Sequence, residues 1–202
     1  GSLVSVSSTS PIPYLGQTTF LHALCPLQTL LFACDQAKIV RRIRLVFMEL
    51  VTDEISTACK VLGLSVSQCR RLPDDDTELL YQDLLESFVE GGDRRWWWEA
   101  FRDNTTSIEF SDDKGFEHII EFVPNPSETI WFVVEEDQLP FYPIYETTPE
   151  HVVKIIGECY AFEYYLVSKS KEWILCENHH GRVLGVGEQV TNRLAQYISQ
   201  RE

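Results

Sequence analysis

The chain has 202 residues, 44% of them hydrophobic and 12% aromatic, with five Trp; that is ample for a core and excludes a disordered chain. A formal net charge of −14 opposes general binding to nucleic acid or to an anionic membrane, both of which need positive potential. It suits a basic partner. Six cysteines, at 25, 34, 59, 69, 159 and 176, form no C-x-x-C pair and match neither a zinc ribbon nor a secreted disulfide scaffold, so a reducing cytoplasm is the expected home.

Residues 1 to 47 differ in character from the rest. They hold one acidic residue, Asp35, against Lys38, Arg41, Arg42 and Arg44; this local +3, set against −14 for the chain, leaves −17 for residues 48 to 202. The Ser- and Pro-rich opening is expected to be poorly ordered. The uncharged run from Phe20 to Cys34 is broken by Pro26 and falls short of a membrane span. Residues 1 to 33 hold no Lys or Arg, so the basic start of a secretory signal is missing. Met48 is the single Met of the chain. Residues 1 to 47 are therefore read as an atypical extension upstream of the natural start, and 48 to 202 as one domain, although helical spacing at Ile39, Ile43, Val46 and Leu50 runs across the boundary.

From Glu49, Val51, Ile55, Ala58 and Leu62 repeat at helical spacing and predict a helix over 49–62 closed by Gly63. A second helix is expected over 77–89 from Leu80, Leu84 and Phe88, with Asp74, Asp75 and Asp76 at its N-terminus, where negative charge is favoured. Gly91 and Gly92 end it. Trp96, Trp97 and Trp98 cannot all face one way, so at least one should be exposed or lie against another element. Exposed Trp beside Arg94 and Arg95 has the composition of an interface hot spot; the plainer reading is a cluster capping the core.

Gly115 to Val123 reads as a short helical turn carrying His118, ended by Pro124 and Pro126. Glu128 to Glu135 reads as a strand apolar on both faces, hence central. Phe141 to Tyr145 follows as its hairpin partner, with Pro140 and Pro143 placing it at an edge. Thr148, Pro149 and Glu150 start a helix over 148–158, whose buried stripe is Val152, Ile155, Ile156 and Cys159. A closing helix over 188–200 docks through Val190, Leu194, Tyr197 and Ile198.

Between those helices lies the densest stretch of the chain, EYYLVSKSKEWILCENHHGRVLGVGE from Glu163 to Glu188. It reads as three strands joined by turns. By the period of two, Tyr164 and Leu166 face one way and Glu163, Tyr165 and Val167 the other; Trp173, Leu175 and Glu177 oppose Ile174, Cys176 and Asn178. The polar end, Glu177 to His180, emerges in a turn closed by Gly181. This stretch, with WFVVEE at 131 to 136 and WWWEAF at 96 to 101, resembles an uncharacterised family of small acidic bacterial proteins that has no assigned activity. In size, acidity and mixed architecture it is similar to SUKH-like immunity proteins of toxin systems, by analogy of type.

Cys176, Glu177, His179 and His180 are all plausible zinc ligands, with His151 or Cys159 able to approach from the neighbouring helix. The spacing is poor, because adjacent His residues on an extended chain point apart. No G-x-S-x-G is present, and Gly185-Val186-Gly187 is too short for a phosphate loop. For Glu177 to His180 the plain alternative is turn chemistry, with Asn178 and Gly181 supplying the conformations a tight turn needs.

The expected fold is α+β: an antiparallel sheet of about four to five strands, from Glu128 to Val186, packed against helices, with a helical N-terminal part. The expected function is that of a non-catalytic acidic binding protein without a cofactor, of the type of an immunity inhibitor that neutralises a basic toxin domain. Asp74, Asp75, Asp76, Glu135, Glu136 and Asp137 would steer a cationic surface. Trp97, Tyr165, Trp173, Glu177, Asn178, His179 and His180 form the expected binding set, with Trp97 and Tyr165 as anchors. The alternative is a small zinc-dependent enzyme or regulator using Cys176, His179 and His180.

Overall fold

A computed structural model describes residues 50 to 201. The expectation of an N-terminal extension over 1 to 47, and of helical structure there, lies outside these residues. The described part is a seven-stranded sheet, every neighbouring pair antiparallel, with five α-helices. The α+β class holds and the sheet is larger than four to five strands. Among the described residues no helix is long and apolar enough to cross a membrane.

In chain order the elements are α1 (Val51–Val61), β1 (Arg70–Arg71), α2 (Asp74–Phe88), β2 (Thr106–Glu109), α3 (Ile119–Phe122), β3 (Ile130–Val134), β4 (Ile144–Thr147), α4 (Pro149–Gly157), β5 (Tyr164–Ser168), β6 (Ile174–Glu177), β7 (Arg182–Val186) and α5 (Glu188–Ser199). Two 3-10 turns, Trp97–Ala100 and Gly115–His118, complete them. The sheet runs β1-β4-β3-β5-β6-β7-β2. Its five inner strands are those expected between Glu128 and Val186; the two edges come from earlier in the chain.

The edge assignment of the second strand is corrected. The strand starts at Ile144, and Arg70 and Arg71 pair with Glu146 and Tyr145 on its outer side. Pro140 and Pro143 precede the strand, so neither removes a ladder donor, and the Pro143 carbonyl accepts from Val134 N–H at 3.1 Å.

Alternation divides the core into two layers. On the first face Phe132, Tyr164, Leu166 and Leu175 are covered by α1, α3, α4 and α5 through Ile55, Ile119, Ile155 and Leu194. On the second face Val133, Tyr165, Val167 and Cys176 are covered by α2 and by the turn carrying Trp97. The face assignments read from period two agree with this for β5 and β6. Gly185 lets α5 sit directly on β7: a Cβ there would meet Leu194 Cδ1 at 2.7 Å and collide with Val190.

Acids tie loops to the sheet. Glu136, 5% exposed, accepts from the first N–H of α1 at Val51 (2.8 Å) and from Gln138 N–H (3.1 Å). Glu54 of α1 in turn accepts from Tyr160 N–H at 3.0 Å. Thr148 caps α4 as expected, accepting from His151 N–H, with Pro149 in the first turn.

Candidate functional site

The polar tip lies where β6 turns into β7, and the turn is built by Asn178. Its side-chain oxygen accepts from the N–H groups of His180 and Arg182, each at 3.1 Å, while its carbonyl accepts from Gly181 N–H at 3.0 Å. Gly181 has φ +65, and its carbonyl takes Phe110 N–H at 2.8 Å. The sharp turn stacks two side chains that an extended chain would separate: the His179 and His180 rings are 3.9 Å apart.

Those imidazoles meet the Trp run. Trp97 is fully buried in the second layer, 4.9 Å from the Tyr165 ring and 5.2 Å from that of Tyr81, and its backbone N–H donates to the Tyr165 hydroxyl at 3.1 Å. With the middle indole turned inward, its two neighbours lie half-buried over the end of the sheet. Trp96 packs 5.4 Å from His179, and Trp98 lies 6.2 Å from His179 and 5.9 Å from His180.

Beneath these rings sits Glu163, 3% exposed. It accepts from Trp98 Nε1–H (3.2 Å) and His179 N–H (3.0 Å), and it pairs with His179 Nδ1. Glu135, at the end of β3, lies beside it, its N–H donating to the Glu163 carbonyl at 3.0 Å. Burial, then the neighbouring Glu163, push the Glu135 carboxyl up to about 7, while Arg95 pulls it down. Arg95 spans the rim, donating from Nε to Glu135 (2.9 Å) and pairing with Asp137 (2.6 Å). Two close carboxylates raise each other's cost of ionising, and a nearby cation relieves it.

On the opposite face Glu177 holds a loop. It accepts from the Tyr164 hydroxyl and lies against Gly115, where a Cβ would meet its Oε1 at 2.6 Å, and burial raises its carboxyl above the usual range. A cavity of about 420 Å³ opens beside it, lined by Phe116, Ile156, Phe162, Asp113 and His179 among others.

The expected binding set is thus brought together only in part. His179 and His180 are exposed at the tip. Trp97 and Tyr165 are corrected from anchors to core, each at 0% exposure, so they support the patch from below. Trp173 is buried in the first layer and lies four residues from Glu177, about 13 Å along the strand. Glu177 and Asn178 are buried and shape loop and turn. Among the steering acids, Glu136 caps α1, while Asp74, Asp75, Asp76 and Asp137 are exposed.

The zinc alternative is not assembled by these residues. Cys176 is fully buried in the second layer, where burial pushes its thiol well up. Among the described residues no group of three His, Cys, Asp or Glu is arranged to hold a metal ion. Sequence reasoning passed over Glu163, and from the Trp run beside Arg94 and Arg95 it took Trp97 for the binding set where Trp96, Trp98 and Arg95 lie at the surface or half-buried. Their signal was present: an acid opening an otherwise apolar strand must find donors when buried, and indoles on either side of a core Trp point back outward.

No curated protein and no solved structure matches the chain. A family model does match, over residues 48–198, in keeping with the expectation of an uncharacterised family, and the chain belongs to that family of unknown function, DUF6756.

Proposed function

We propose that this domain is a non-catalytic acidic binding protein that takes a basic protein partner on the patch of Trp96, Trp98, His179 and His180. The partner class is a cationic domain such as a bacterial toxin domain, neutralised in the cytoplasm by occlusion, as an immunity-type inhibitor would do it. One observation carries this reading: the half-exposed rings of Trp96 and Trp98 and the exposed His179 and His180 stand over the buried Glu163, with Glu135, Arg95 and Asp137 paired at the rim. A Lys or Arg side chain brought there finds ring faces, with the exposed Asp137 beside them. The surrounding charge adds steering, since residues 48 to 202 carry −17 when the +3 of residues 1 to 47 is removed from −14. Glu163 already receives two N–H donors besides the His179 ring, an occupancy that suits a positioning acid better than a proton-transfer group.

The test is capture by the immobilised domain from a bacterial lysate at graded salt. Retained proteins should be basic and should elute as ionic strength rises toward about 0.5 M, where surface attraction is screened. A Trp98→Ala, Glu135→Gln double variant that still folds should retain far less. Retention of nothing basic, or retention indifferent to salt and to the double substitution, would sink the proposal.

A further inference from the structure

Away from the aromatic patch, the C-terminal turn of α1 and the residue before β1 bring two thiols together. Cys59 lies in the last turn of α1, whose end is closed by Gly63 N–H to Lys60 O (3.2 Å) and Leu64 N–H to Cys59 O (2.9 Å). The chain then bends back: Cys69 N–H reaches Ser65 O at 3.2 Å, and Ser65 N–H and Oγ both bond Gln68 Oε1. This folded loop brings the Cys59 and Cys69 side chains to one cleft, close enough for each thiol to shift the other. Both are half-buried, and both line an open cleft of about 530 Å³ shared with Lys60, Arg70, Arg71 and Asp53.

Cys176 supplies the contrast, being sealed in the core. A partly accessible thiol with a second thiol beside it can close to a disulfide through a sulfenic acid, which a sealed one cannot. The neighbouring Cys69 lowers the Cys59 thiol, with burial opposing, while Cys69 is raised by Cys59 and by burial. In the step proposed here Cys59 takes the part of nucleophile and Cys69 that of resolving neighbour.

We propose that Cys59 and Cys69 are a site of reversible oxidation, closing to a disulfide when the protein meets a hydroperoxide. The Cys59 thiolate attacks a peroxide oxygen, the O–O bond breaks, and with one proton taken up a molecule of water leaves and Cys59 becomes a sulfenic acid. The Cys69 sulfur then attacks the Cys59 sulfur, the S–O bond breaks, and the Cys69 proton leaves with the oxygen as a second water. Two thiols lose two electrons and hydrogen peroxide is reduced to two waters. The bond would pin the end of α1 to the edge of the sheet, since Arg70, next to Cys69, pairs with Glu146 on β4. This inference does not rest on the proposed binding role.

The experiment uses the whole chain, reduced, freed of reductant and treated with equimolar hydrogen peroxide, then alkylated and digested with trypsin. Lys60 separates the two cysteines, so a bridge joins two peptides and is read directly. The expected result is loss of two hydrogens, one linked peptide holding Cys59 and Cys69, and full recovery on reduction with dithiothreitol. Cys59→Ser and Cys69→Ser should each abolish the linked species, and in Cys69→Ser the Cys59 sulfenic acid should become trappable by dimedone. If both thiols stay alkylatable in the wild-type chain, if the bridge maps to Cys25, Cys34, Cys159 or Cys176, or if Cys59 goes to sulfinic acid without a linked peptide, the proposal is overturned.

Discussion

Tyr164 and Tyr165 are neighbours in the chain, both buried, and they serve opposite faces of the sheet. The Tyr164 hydroxyl donates to Glu177, which in turn holds the 3-10 turn at Gly115; the Tyr165 hydroxyl accepts from the backbone of Trp97. The first layer is closed by four helices, with rings such as Phe110, Phe122, Phe132 and Tyr197 spread among them. The second is closed by one helix and an aromatic plug, with Tyr81, Tyr142 and Tyr165 around Trp97. A helix presents one broad apolar stripe and covers a sheet evenly, whereas a single buried indole anchors a short turn and leaves its flanking residues at the surface. That is why the exposed aromatic patch belongs to the second layer.

The largest expected effect breaks the plug. Trp97→Ala should cost about 3–5 kcal/mol, read from denaturant midpoints, and should also lower the fluorescence anisotropy of the remaining indoles as Trp96 and Trp98 lose their support. A first-layer counterpart is Gly185→Ala, which pushes α5 off β7 and should cost about 1–3 kcal/mol while leaving the patch intact; equal loss of partner capture in both variants would show that the two layers are not separable.

Smaller changes compare the two hydroxyls. Tyr164→Phe should cost about 1.5–3 kcal/mol, because a buried carboxyl loses its donor, and Tyr165→Phe about 1 kcal/mol, because only an amide loses an acceptor. The reverse order in urea melts would contradict the part assigned to Glu177.

The last prediction concerns pH. Glu135 is raised from 4.5 to about 7 in the folded chain, so between those values the folded state holds more protons than the unfolded one, and stability falls as pH rises through the window. Its contribution is fully present below 4.5 and lost above 7. Glu135→Gln should flatten that part of the profile, measured as the difference between variant and wild-type midpoints at the two ends; an unchanged slope would mean that Glu135 does not titrate there.

The helices were legible because their apolar stripes are long and regular: Ile55 and Ala58, Leu84 and Phe88, Val152 and Ile155, Val190 and Leu194 are all buried as spaced. The inner strands were legible for the same reason, with β3 apolar on both faces and central. The edge strands were not. Arg70–Arg71 is two charged residues, and Thr106–Glu109 carries one apolar side chain, Ile108. The candidate site was half legible: the CENHH tip was located, but not that Trp96, Trp98 and Glu163 pack against it from other parts of the chain.

The sequence by itself determined which residues would be inside, because burial follows the repeat of apolar side chains along each element, and it placed two imidazoles and an Asn at a strand end. Only the tertiary structure decided where the sheet stops and what the tip touches. A weak strand exists through the partner that supplies its hydrogen bonds, β4 for Arg70–Arg71 and β7 for Thr106–Glu109. A carboxylate's role likewise depends on the donors that packing brings from distant parts of the chain, as Trp98 and His179 are brought to Glu163.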